Sequence, residues 1–120
     1  MSSTSIQAKM FKAVAASTTA IAAVQTDASG AGEMTLTGTS VNDGSNMATT
    51  VTLTSASNNA SVGFTITGTD ENGDAATETI ATGPNANTVT GSTAFLTVTK
   101  IEYDAAITAV SAGFTATTTT

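Results

Sequence analysis

Between Val62 and Ile101 apolar and hydroxylated residues alternate with a period of two, which suits a pleated strand and not a helix. Val62, Phe64 and Ile66 interleave with Gly63, Thr65 and Thr67, so an extended backbone sends one set to each face. Met34 and Leu36 stand in the same relation to Thr35 and Thr37, as do Val51 and Leu53 to Thr50, Thr52 and Thr54. Leu96 and Val98 face away from Thr97 and Thr99. Threonine and glycine recur where a helix would need good formers. The spacing predicts strands near 18–25, 33–40, 47–54, 61–69, 75–82, 87–90, 94–102 and 106–116.

Turn chemistry falls between these segments. Asp70-Glu71-Asn72-Gly73-Asp74 contains an Asn-Gly pair that tolerates positive φ in a tight hairpin, and Asn42-Asp43-Gly44 offers similar chemistry. Gly83-Pro84-Asn85 interrupts the chain, because Pro84 has no ladder donor. The expected architecture is all-β: an antiparallel β-sandwich or barrel of about eight short strands, laid out as a meander with sequence neighbours paired in space. An extended N-terminal arm over residues 1–16 precedes a single β-sandwich domain over 17–120.

The core of such a fold is thin. Leu, Ile, Val and Phe number 21 of 120 residues, whereas Ala and Thr supply 22 and 28 and bury little apolar surface each. No cysteine is present to add a disulfide or a thiolate metal site. Self-association or docking on a larger body is the expected remedy, so the chain reads as a homo-oligomer, a trimer being one arrangement.

Charge removes whole classes of partner. Asp and Glu outnumber Lys and Arg nine to three, arginine is absent, and the net charge is −6. A protein that neutralises several phosphates needs cations gathered on one face, so no nucleic-acid partner is expected. With no Trp and a single Tyr, stacking platforms for single strands are also scarce. No run of about 18 apolar residues occurs, and no membrane partner is expected. Lys9 and Lys12 ahead of Ala13-Val14-Ala15-Ala16 imitate a secretory leader, but Ser17, Thr18 and Thr19 cut the apolar stretch short, so the segment reads as an arm. Ile6, Met10, Phe11 and Val14 fall at spacings that suit either a short amphipathic helix or a first strand.

The chemistry available is narrow. Without histidine or cysteine, Ser/His/Asp and Cys/His catalysis and histidine-centred zinc sites are excluded. Carboxylates remain, and Glu78, Glu102 and Asp104 are the formal candidates for a glycosidase-like pair; as solvent-facing strand and turn residues they would simply keep the chain soluble. Asp70, Asn72 and Asp74 match the start of a calcium loop, but Ala75 stands where that loop needs glycine and Ala81 where it needs a bidentate glutamate. A hairpin is the expected structure there, and no cofactor is expected. The Thr-x-Thr triplets at Thr35, Thr50, Thr52, Thr65, Thr67, Thr77 and Thr97 show no constant period, which argues against an ice-binding solenoid.

The run Phe64-Thr-Ile-Thr-Gly-Thr-Asp-Glu-Asn-Gly-Asp, followed by Thr77-Glu-Thr-Ile, Gly83-Pro-Asn-Ala-Asn-Thr-Val-Thr and Phe95-Leu-Thr-Val-Thr-Lys-Ile, resembles the β-rich modules of tailed-bacteriophage structural proteins. The resemblance covers about the C-terminal half and rests on hairpin and turn phrases. It implies a virion protein on the outer surface of the capsid, most like small capsid decoration or cement proteins, with the major capsid protein as partner and no catalytic residues. On that reading Met10 and Phe11 of the arm are the apolar anchors for capsid docking, and Lys9 and Lys12 meet acidic groups on the shell. A head-fibre, tail-fibre or adhesin-type module that recognises a host surface through loops 70–74 and 83–87 is the alternative, weakened by the lack of aromatic residues in those loops.

Overall fold

In the computed structural model, residues 16–38 and 48–115 are described, and they form eight β-strands in two antiparallel sheets with no helix among them. The strands are β1 (Ser17–Asp27), β2 (Gly32–Glu33), β3 (Thr49–Asn58), β4 (Phe64–Thr69), β5 (Ala75–Ile80), β6 (Asn85–Phe95), β7 (Thr97–Tyr103) and β8 (Ile107–Phe114). One sheet runs β1-β8-β3-β6 and the other β2-β7-β4-β5. All of the expected 1–16 arm except Ala16, the Asn42-Asp43-Gly44 turn and the polar threonines 117–120 lie outside the described residues.

The alternation of the sequence becomes the two faces of each sheet. Phe64, Ile66, Leu53, Val98 and Ile101 are fully buried between the layers, while Thr65, Thr67, Thr54 and Thr99 stay half-buried or exposed. Phe64 and Tyr103 meet as tilted rings 6.4 Å apart at one end of this core. Across the outer face of the second sheet Thr65 lies opposite Thr79 and Thr67 opposite Thr77, so hydroxyl meets hydroxyl across the β4–β5 pair.

The expected meander is corrected. Only β4 and β5 are neighbours both in sequence and in a sheet; β3, β6 and β8 lie in one layer, and β4, β5 and β7 in the other. Period-two alternation fixes which side of a strand is apolar but not which strand lies beside it, and a thin core is closed best when successive strands face each other across it. The segment expected as one strand over 94–102 shows how the crossing is made. Phe95 ends β6, Thr97 begins β7, and the chain turns from one sheet to the other at Leu96, whose N–H donates to Thr69 O at 2.8 Å.

The strand expected over 33–40 is also shorter as a ladder, spanning only Gly32–Glu33. Beyond it the chain leaves its sheet and leans on β1. Met34 N still donates to Ile101 O at 2.8 Å, but Thr37 and Gly38 donate to Ile21 O at 2.8 and 3.2 Å. Between them the Gln25 side chain serves Thr35 as a strand would, accepting from Thr35 N at 2.9 Å and donating to Thr35 O at 3.1 Å.

The hairpin at Asp70–Asp74 is borne out with a refinement. Gly73 alone takes positive φ, at 84°, and its N–H donates to Asp70 O at 3.0 Å, which makes a turn closed by one left-handed residue and not two. Gly68 is needed for a different reason: a methyl group there would overlap the Thr97 carbonyl, where a register shift in the β4–β7 ladder brings the two backbones together. Gly68→Ala should therefore destabilise the fold by about 1–3 kcal/mol or more in chemical denaturation, whereas Gly73→Ala, which meets open space and only the strain of its φ, should cost about 1 kcal/mol.

Candidate functional site

A concave feature of the described surface lies on the outer face of the second sheet. It is a depression of about 300 Å³ lined by Gly63, Thr65, Thr79, Ala81, Glu102 and Asp104, with Tyr103 at its base. Register explains the grouping, since Thr65 sits between Thr79 on one side and Glu102 on the other, all three pointing outward. Chemically the depression offers two carboxylates and two threonine hydroxyls, suited to accepting hydrogen bonds from a polar group.

Its carboxylates already have work within the chain. Asp104 Oδ1 accepts from Gly63 N at 2.8 Å, and Asp104 N donates to Gly63 O at 3.1 Å, so the pair locks the entry of β4 to the end of β7. Glu102 lies 3.7 Å from Lys100 Nζ in an exposed pair of small energetic weight. Of the three acids considered for a glycosidase-like arrangement, Glu102 and Asp104 thus share one depression while Glu78 does not join them. Glu78 is opposite buried Ile66, on the inward side of edge strand β5, and the sheet separates it from the other two.

Glu78 instead clasps the two layers. One oxygen accepts from Ser92 N at 2.6 Å and Ser92 Oγ at 3.3 Å, and the other from Thr93 N at 3.1 Å, so a carboxylate of β5 satisfies two amides of β6 in the opposite sheet. Gly91 makes room for it, because a Cβ there would stand 2.5 Å from Glu78 Oε1. Nothing in the sequence marks this role, since the partners are backbone amides that carry no residue signature.

A second clasp lies on the opposite side of the sandwich. Buried Tyr103 donates its hydroxyl to Asp27 Oδ2 at 2.6 Å, which ties β7 to the end of β1, and Asp27 Oδ1 accepts from Ser29 N at 2.9 Å. The Ser29 hydroxyl, then Tyr103 and then Ser29 N hold the Asp27 carboxyl down at about 2, below its ordinary 3.8. The same bond to Asp27, with burial and the neighbouring negative charge, pushes the Tyr103 phenol from 10.0 up to about 12. At the same end, where Asp27 pairs with Ile107, buried Asn59 donates to Ser55 Oγ and Thr108 O at 3.0 and 3.1 Å and accepts from Thr108 N at 2.8 Å, joining the loop after β3 to the start of β8.

The Asp70–Asp74 loop has the same character. Asp70 Oδ1 accepts from Asn72 N at 2.8 Å and Asp74 N at 3.0 Å, so the residue that would open a calcium loop caps its own turn. Among the described residues no three Asp, Glu, His or Cys side chains converge as a metal-binding group would require. Lys9, Met10, Phe11 and Lys12, the residues assigned to capsid docking, lie outside the described residues.

Comparison with protein-family models, with curated proteins and with solved structures finds no match. Among the described residues no helix is long and apolar enough to cross a membrane.

The Tyr103–Asp27 clasp has a signature at both ends of the pH scale. Asp27 holds its proton less tightly when folded, so its contribution to stability is complete above pH 3.8 and is lost as pH falls toward 2. Tyr103 holds its proton more tightly, so its contribution is complete below pH 10 and is lost as pH rises toward 12. Because Tyr103 is the single tyrosine, tyrosinate absorbance reads it alone: the midpoint should be near 12 in the folded protein and near 10 in denaturant, and Asp27→Asn should bring the folded value down.

Proposed function

We propose that this chain is a non-enzymatic structural module of a tailed-bacteriophage virion, which sits on the outer surface of the capsid and cements it by bridging neighbouring capsid subunits. The observation that carries the reading is the use made of the acidic side chains. Asp27, Asp70, Glu78 and Asp104 each accept hydrogen bonds that tie a turn or join strands, so they act as structural fasteners. The reading is supported too by the resemblance of the C-terminal half to phage structural modules.

Cementing needs binding and no chemistry. A copy that touches two subunits at once opposes their separation by its own binding free energy, and a symmetric shell presents that site many times. The described sandwich already buries the apolar faces of its two sheets against each other, so the arm is the natural source of further anchors. It holds Met10 and Phe11 together with Lys9 and Lys12, two of the chain's three cations, which suit an acidic shell surface.

Deleting residues 2–12 should abolish co-sedimentation with capsids while the β signal and melting transition of the domain persist. Quantitative mass spectrometry of purified particles should find the protein at a copy number comparable to that of the capsid subunit. Full occupancy by the deleted form would remove the docking role of the arm. A copy number far below that of the capsid subunit would favour the fibre or tail reading.

A further inference from the structure

The two sheets end in four edge strands, and their outer sides are closed unequally. β1 is covered by the Gln25–Thr35 contacts and by the bonds of Thr37 and Gly38 to Ile21. β2 spans two residues, and β5 sends Glu78 across to β6. β6 is different. Its far end is closed by Glu78 on Ser92 and Thr93, and Pro84, which has no amide to donate, stands just before its start. The strand is bulged at Ala86, whose φ is 55°, and Asn85 N donates to Asn87 Oδ1 at 2.8 Å; beyond that point Asn87–Thr90 runs along the edge with every residue exposed except half-buried Val89, and among the described residues its ladder bonds reach β3 alone.

The composition of this edge is the second observation. A sheet edge that must stay solitary carries a lysine, an inward charge, a proline or a bulge within it, because a row of free N–H and C=O groups otherwise recruits another strand. The bulge at Ala86 guards the start of β6, but Asn87-Thr88-Val89-Thr90 carries none of these, and no charged residue occurs anywhere from Thr79 through Thr99. In a chain of net charge −6, this is where a second copy can approach with least repulsion. Pairing the segment with itself in antiparallel sense sets Thr and Asn side chains against Thr and Asn, groups that both donate and accept, and brings no like charges face to face.

We propose that the edge of β6 left open among the described residues, Asn87–Thr90, pairs antiparallel with the same segment of a second copy of this chain about a twofold axis, which joins two four-stranded sheets into one continuous sheet. Pro84 and Glu78 limit the register to the window between them. The contact is isologous, so it yields a dimer and not the trimer considered from composition. A ladder of this length falls short of the roughly 1,200 Å² typical of stable interfaces, so association is weak in free solution and is strengthened where copies are held side by side. The inference does not depend on what larger body, if any, the protein decorates.

Sedimentation velocity of the full chain from micromolar to millimolar concentration tests it, with amide hydrogen exchange followed over the same range. The wild type should rise toward twice the monomer mass, and protection should grow with concentration at residues 87–90. Thr90→Lys, which sets two cations at the seam, should remain monomeric, while Ser61→Lys, the same charge change in the exposed β3–β4 loop, should associate as the wild type does. A wild type that stays monomeric throughout, or concentration-dependent protection confined to other segments, would overturn the proposal. So would Thr90→Lys association equal to that of the wild type, and the exchange measurement on the wild type stands even where a variant fails to fold.

Discussion

A core built from so few large side chains has to be enclosed from both sides, and that requirement shapes the whole molecule. Each strand contributes apolar residues on one face only, so neither sheet can be stable without the other. The chain meets this by passing repeatedly between layers, with only the β4–β5 hairpin staying in one. Without disulfides, the open flanks are fastened by side chains that reach backbone or side-chain groups of the opposite layer. Glu78 does so between β5 and β6, Gln25 between β1 and Thr35, and Tyr103 between β7 and Asp27. Each is a hydrogen bond to a strand end or edge group that would otherwise depend on water.

This explains what the sequence reveals and what it withholds. Val62, Phe64 and Ile66 declare a strand and its inner face because alternation is a local property of the pleat, and Gly73 marks its turn because a left-handed residue at that point is needed. The positions of β1, β3, β4, β5 and β8 are legible on those grounds, whereas β6 shows only over 87–90 and its end reads as one strand with β7 over 94–102. The partner of each strand is not legible: β4, for example, pairs with β7, from Thr69 opposite Thr97 to Phe64 opposite Tyr103, through backbone groups that every residue carries. The corner at Leu96 hides for a similar reason: Phe95, Leu96 and Thr97 read as continuous β-formers, and only packing against Thr69 turns the chain there.

The candidate acids show the same division. Glu102 and Asp104 come together beside Thr65 because neighbouring outward positions on β4 and β7 share a face, and a two-residue separation in sequence already places them on one side. Glu78 lies on the other side because its partner in the ladder is Ile66, a fact of register. A carboxylate in a strand therefore says little by itself. Its meaning depends on whether it faces solvent or the rim of the core, and in this fold the rim position makes it a clasp.

The most direct test of this view is the stability of Glu78→Ala, measured by equilibrium denaturation together with native-state hydrogen exchange at Ser92 and Thr93. Removing the clasp should lower stability by about 1–3 kcal/mol and should speed exchange at those two amides ahead of the rest of β6. Unchanged stability with unchanged exchange at Ser92 and Thr93 would contradict the view that the acidic side chains are the fasteners of the sandwich.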